Sequence, residues 1–356
     1  MSIENYKCPS CGAPISFDPK TGGFKCGYCF SSYTEEELTK YMEGLKEKKG
    51  GSEESSSSET GESAVDGKIK QYHCNNCGAE VVVGDTSSTA FCYYCHSPVV
   101  LSDRLKGDFK PDKIIPFKID KKEALKHFAS WVKGKSYVPA DFTSTGTQEK
   151  ITGIYLPHWQ ADVAADIDYH ATGLKISTTR SGNTEYTKTD KYKIDRTGKI
   201  ELDKFQELAF TKIDKTLINA ISPYDLENQK DFSQGYLAGF SSEQYDIKKE
   251  DIEPIIKGRA EDYTKGLIQD STDYGGNIED EQDNTSYTVK NYNYVLLPSW
   301  ILTYLYKGKT YVFAVNGQTG KATGELPVNK SKLALVSGII SGILATLLLL
   351  GGRFIW

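Results

Sequence analysis

Eight cysteines fall into two matched sets. Cys8, Cys11, Cys26 and Cys29 form one Cys-x2-Cys pair, a spacer of fourteen residues and a second pair; Cys74, Cys77, Cys92 and Cys95 repeat the same spacing. Tyr precedes the first cysteine by two places both times, and Gly-Ala follows the first pair both times. Two such turns can each offer two sulfurs to one ion, and Zn²⁺, with no geometric preference of its own, takes four thiolates tetrahedrally. Iron and redox disulfides are the alternatives, and four separated cysteines in twin turns favour zinc over either. The expectation is two Zn²⁺ per chain, in closed four-sulfur sites with no open position for a reactive water. Such an ion supplies folding energy to a module too small for its own core. Gly12, Gly27 and Gly78 lie where the turns need a permissive backbone, while His73 and His96 beside the ligands are expected bystanders.

Other reactive groupings are weaker. His158, Asp162, Asp166, Asp168 and His170 form the one other polar cluster with a metal-like character, and a strand would set Asp162, Asp166, Asp168 and His170 on one face. The solvent face of a half-buried strand is the reading preferred there over a metal site. Gly308-Lys309-Thr310 and Gly320-Lys321 resemble pieces of a phosphate-binding loop, but the full Gly-x4-Gly-Lys-Ser/Thr pattern between a strand and a helix is missing. No catalytic residue is expected, and Trp159 and Trp300, each behind a Pro, are read as core anchors.

Several elements must position these residues. Thr34 and Glu37 form a capping-box pattern ahead of Leu38, Tyr41, Met42 and Leu45 at helical spacing. That helix either docks a partner or packs on its own ribbon. Residues 50–67 are too polar and Ser-rich to pack, so the first ribbon is expected to move independently on a flexible linker. KIIPFKI reads as a strand. Asp120 caps a helix carrying Leu125, Phe128, Trp131 and Val132, which Gly134 ends. Three strands are expected over 151–194, then helices through FQELAFTKIDKTLINA and through Ile252, Ile255, Ile256, Tyr263 and Leu267, and an acidic loop over 274–285. A β-hairpin with turns at Lys307-Gly308 and Gly317 closes the body. LPHW at 156–159 echoes LPSW at 297–300, as two halves of a duplicated or paired β domain would, or by chance.

The charge of −5 gives the whole chain no footprint for nucleic acid. The first ribbon (residues 6–30) is net +2 and the second (residues 72–104) net −2, so the second lacks the clustered cations a phosphate backbone needs. Leu333 to Leu350 is uncharged, and with Gly351 and Gly352 matches the hydrocarbon thickness of a bilayer. Lys330 and Lys332 before it, against Arg353 after it, place the bulk of the chain in the cytoplasm. No secretory leader is expected, which suits thiolates in a reducing compartment. Gly338 and Gly342 have the spacing that lets two spans approach, a route to homo-oligomers. The expected fold class is α+β: rubredoxin-like zinc ribbons at 1–33 and 68–104, a mixed α+β domain at 105–328, and one transmembrane helix at 333–352.

The double ribbon, the run CHSPVVLSDRLKGDFKPDKIIPFKI, the LPHW and LPSW pair, YLAGFSSEQYD and VNGQTGKATGELP before an apolar span resemble a bacterial family. Its members are membrane-anchored proteins with zinc ribbons like that of transcription factor IIB, often labelled replication-restart helicase subunits. This sequence contains no helicase motor to support that label. The resemblance implies a membrane-associated adaptor linked to phage-shock-type membrane-stress proteins or flotillin-like scaffolds. The alternative is a membrane-tethered, nucleic-acid-binding regulator; a hydrolase using the Asp/His strand is a third class.

Overall fold

Alternating apolar residues on either side of the two Leu-Pro-x-Trp segments build the centre of one large sheet. The structure, a computed structural model, describes all residues except 1, 2, 5, 50–68, 75–79, 92–97, 136, 140–150, 273–276 and 353–356. The main strands of the sheet are β1 (Thr152–Ser181), β2 (Thr184–Leu208), β3 (Ile278–Asp283), β4 (Ser286–Tyr306), β5 (Lys309–Asn316) and β6 (Ala322–Gly324), with two-residue strands at Lys113–Ile114, Lys230–Asp231 and Ser241–Ser242 paired onto them or onto each other. Its order is β2-β1-β4-β5-β6, and β3 pairs with the outer part of β1. Helices α1 (Glu35–Lys49), α2 (Lys121–Lys133), α3 (Lys215–Ala220), α4 (Lys249–Asp270) and α5 (Lys330–Gly352) complete the mixed α+β architecture.

The echoing segments pair with each other. Leu156 lies opposite Leu297, Trp159 opposite Tyr294 and Trp300 opposite Gly153, which relates β1 and β4 by a local two-fold axis. Both indoles are buried, and each donates to a backbone carbonyl 2.9 Å away, Trp159 to Ile247 and Trp300 to Ile119. Pro157 and Pro298 lack the N–H that a central strand would use. Their carbonyls are still satisfied, by Ala209 N and Gly317 N. One face of the sheet carries Tyr155, Trp159, Tyr294 and Trp300 into the main core with Phe117, Phe128 and Phe240. The opposite face packs Leu156, Leu208 and Ala314 under Ile218 of α3. On the main-core face, opposite Trp159, the fully buried Glu207 is met by Lys215 of α3 and by Arg259 of α4 at 3.1 Å, which offsets the cost of burying its charge.

Several expectations are corrected. The first ribbon does not stand apart from the body. Its Ile15, Phe17 and Phe24 join the main core; Phe17 N donates to Ala238 O at 3.0 Å, and Lys20 pairs with Asp120 at 2.9 Å. The linker at 50–67 lies outside the described residues. Leu38 is buried, so it is not a contact residue for a partner, and α1 packs on its ribbon. The three strands expected over 151–194 are two, because Gly173 stays inside β1 opposite Tyr192 and the chain reverses only after Ser181. FQEL belongs to β2, and helix appears only over α3, after the cap Asp214. KIIPFKI is strand only at Lys113–Ile114. Within the expected acidic loop, β3 forms a strand edge on β1. Along α4 the buried stripe is Ile252, Ile256, Ala260, Thr264 and Ile268, leaving Ile255, Tyr263 and Leu267 on the outside.

Candidate metal centre

Local geometry explains how the first cysteine set converges. Strands Ile15–Asp18, Gly23–Cys26 and Ser32–Tyr33 form a small meander. Two tight turns hang from it. In the first, Gly12 N donates to Cys8 O at 2.9 Å; in the second, Phe30 N donates to Cys26 O at 3.1 Å. The residue after the second cysteine is left-handed in both turns: Gly12 at φ 74° and Phe30 at φ 60°. Gly12 is where a permissive residue was expected. Gly27 does not adopt that conformation, and Phe30 does instead. Gly78 lies outside the described residues.

The four sulfurs of Cys8, Cys11, Cys26 and Cys29 lie within 4.8 Å of one another. Cys8 and Cys29 Sγ are 3.5 Å apart, and Cys11 and Cys26 Sγ are 3.6 Å apart. A tetrahedral ion with bonds of about 2.3 Å to sulfur requires edges of about 3.8 Å. The donor set therefore fits one metal ion. The Ser31 hydroxyl and amide hold the Cys29 thiol down to about 6. Cys11 is pushed up to about 12: the Ala13 amide favours its thiolate, but crowding by Cys29, burial, Cys26 and Cys8 outweigh that. Burial disfavours a Cys8 thiolate, yet the Tyr33 hydroxyl and the Cys11 and Ser10 amides hold Cys8 below its usual range. Four thiolates this close together persist only when a cation compensates their charge.

The second set is described at Cys74 alone, which is buried with Tyr72, Val81, Val83, Val99 and Leu101; Cys77, Cys92 and Cys95 lie outside the described residues, as does His96. The module around it is fixed to the body: Ser88 N donates to Ser242 O at 2.8 Å, and Gln244 N to Thr86 O at 2.7 Å. Arg104 closes its loop from below, donating to the Tyr72 hydroxyl at 2.9 Å and to Ser87 O at 2.7 Å.

Over 359 aligned positions the chain is 33% identical to the uncharacterized protein YdjG of Bacillus subtilis (strain 168), covering 99% of this chain and all of that one. The chain belongs to the YdjG family. No protein-family model matches it, and no solved structure does. The alignment of the two YdjG-family proteins spans nearly the full length of both chains.

The Asp/His strand does not form one site. His170 Nδ1 is 2.6 Å from Asp195 and Nε2 is 3.0 Å from Asp168, so both ring nitrogens are engaged by carboxylates. Asp166 pairs with Lys199 at 3.4 Å, and Asp162 accepts from Lys204 N at 2.9 Å. Asp195 comes from β2, twenty-five residues away from His170. No local signal marks it; only the register of two long strands does. A cleft of about 570 Å³ opens beside Lys110, Trp159, Tyr245, Lys249 and Tyr292, and no histidine, cysteine or serine lines it. The P-loop-like fragments fall in turns, at Lys307-Gly308 before β5 and at Gly320 before β6, with no helix following.

Proposed function

We propose that the protein is a non-catalytic, zinc-binding adaptor, anchored in a bacterial cell membrane by α5 and recruiting membrane-stress or scaffold proteins to the cytoplasmic face. The observation that carries this reading is a pair of uncovered apolar surfaces. Lys330–Leu348 of α5 has a mean hydropathy of 1.8 and none of it is buried in the protein. On α4, Ile255, Tyr263 and Leu267 are 41%, 54% and 42% exposed and form one stripe at i, i+8 and i+12. A span needs lipid and a stripe of this kind suits a partner helix. The cysteines supply rigidity: Cys8, Cys11, Cys26 and Cys29 hold one Zn²⁺, and Cys74, Cys77, Cys92 and Cys95 a second. The resemblance noted in the sequence names the partner class, phage-shock-type or flotillin-like proteins.

The test uses the detergent-solubilised full chain and a purified phage-shock-type protein. Wild type should carry two zinc ions and bind. Tyr263→Glu with Leu267→Glu should abolish binding with the metal content unchanged. Sequence-selective DNA binding by the full chain at physiological salt would instead support the nucleic-acid regulator and overturn the adaptor.

A further inference from the structure

The second turn of the first ribbon carries a residue that its own fold does not explain. Phe30 stands where the first turn has Gly12, in the same left-handed backbone and with the same amide hydrogen bond to the first cysteine of its turn. A bulky residue is strained there, and Gly or Asn would fit without cost. Its side chain gives nothing back inside the protein, being 72% exposed, and Tyr28 beside it is 69% exposed. Strain retained at a residue whose side chain points into solvent marks a use outside the chain.

Two features define what it meets. Lys7 and Lys25, both exposed, stand immediately before the first ligand of each turn, and the ribbon as a whole is net positive. The chain also carries an uncovered apolar helix of membrane-spanning length. An aromatic pair with flanking lysines matches the bilayer interface, where amphipathic rings sit at headgroup depth and ammonium groups meet lipid phosphates. We propose that the metal-site tip of the first ribbon inserts Tyr28 and Phe30 into a lipid surface, giving the protein a second membrane contact besides α5. This rests on the anchored reading of α5. Tethering raises the local lipid concentration, so a contact of two rings, too weak to recruit a free protein, suffices to hold the ribbon down.

The experiment reconstitutes the full chain, wild type and Phe30→Trp, into vesicles of phosphatidylglycerol and phosphatidylethanolamine, with or without bromine on the acyl chains. Emission of the wild-type tryptophans is subtracted. The added emission should be blue-shifted, and brominated lipid should remove at least half of it. Protein that fails to float with the vesicles overturns both the anchor and this proposal. Protein that floats but whose added emission is unquenched and at the water-exposed maximum overturns the tip contact alone. A second pair of variants separates lipid contact from structure. Tyr28→Trp should be quenched, and Tyr28→Trp with Phe30→Asn should lose at least half of that quenching while resisting a chelator as well as wild type does. Faster metal loss with Phe30→Asn makes Phe30 a structural residue and overturns the proposal.

Discussion

Two histidines of β1 respond to acid with opposite signs. His158 is buried, its Nδ1 donating to Leu156 O at 3.0 Å, and burial pushes it down to about 4. Between the unfolded value of about 6.5 and that level, the unfolded chain binds a proton that the folded one refuses. Stability therefore falls as pH drops through this window, by on the order of 3 kcal/mol at the limit. His170 is the reverse case: Asp195 first, then Asp168, raise its pKa. Its contribution is complete below about 6.5 and is lost as pH rises through the raised folded value; exposure keeps it small. Denaturation of the detergent-solubilised chain between pH 4 and 6.5 should show a flatter pH dependence for His158→Gln than for wild type. An equal slope would mean that His158 is protonated inside the fold. Asp195→Asn should lower the His170 titration midpoint seen by NMR, and an unmoved midpoint would remove Asp195 from its role. At this scale, what the sequence revealed depended on spacing. The first cysteine set was legible because local turns bring its ligands together. Asp195 was not, because a neighbour on another strand is chosen by register.

Elements show the same division between local and long-range causes. Capping was readable: Thr34 with Glu37, and Asp120 with Glu123, form their reciprocal hydrogen bonds, as side chains three residues apart must. The buried face of α4 was not, since Ile252 and Ile256 adjoin Ile255 and both stripes are apolar; which one is buried depends on the sheet it meets. Docking of the first ribbon was equally invisible. Its receptor is the YLAGF run, where Tyr236 packs edge-on against Phe17 with centroids 5.2 Å apart and donates to Glu35. Gly239 makes the close approach possible: its φ is +95°, and a Cβ there would sit 2.9 Å from Ser16 Cβ. Gly239→Val should cost about 1–3 kcal/mol through backbone strain and overpacking. It should free the ribbon for proteolytic release while the ribbon keeps its metal. Release no faster than in wild type would show that other contacts hold the ribbon; metal loss would show that docking and metal binding are one event.

For the whole molecule the decisive question is what covers α5. A helix with no buried share gains nothing from the rest of the protein, and in water its apolar side chains would be a large exposed patch. Its start is well defined: Asn329 caps it through its side chain to Lys332 N at 3.1 Å, and Asn329 N donates to Tyr137 O at 2.7 Å, just beyond α2. The body is thus joined to α5 by a short, hydrogen-bonded joint at one end of α2. The first ribbon is tied to the other end, where Lys20 meets Asp120. Deleting residues 330–356 should move the protein to the soluble fraction without changing its metal content; persistence on membranes after a high-salt wash would place the anchor elsewhere. We propose that the body faces the cytoplasm, on the ground of two lysines before the apolar run against one arginine after it. Protease added to inverted membrane vesicles should digest the body, and added to right-side-out vesicles should leave it intact. Digestion in right-side-out vesicles would put the ribbons outside the cell, where the thiolates would face an oxidising medium and the proposed cytoplasmic partners would be out of reach.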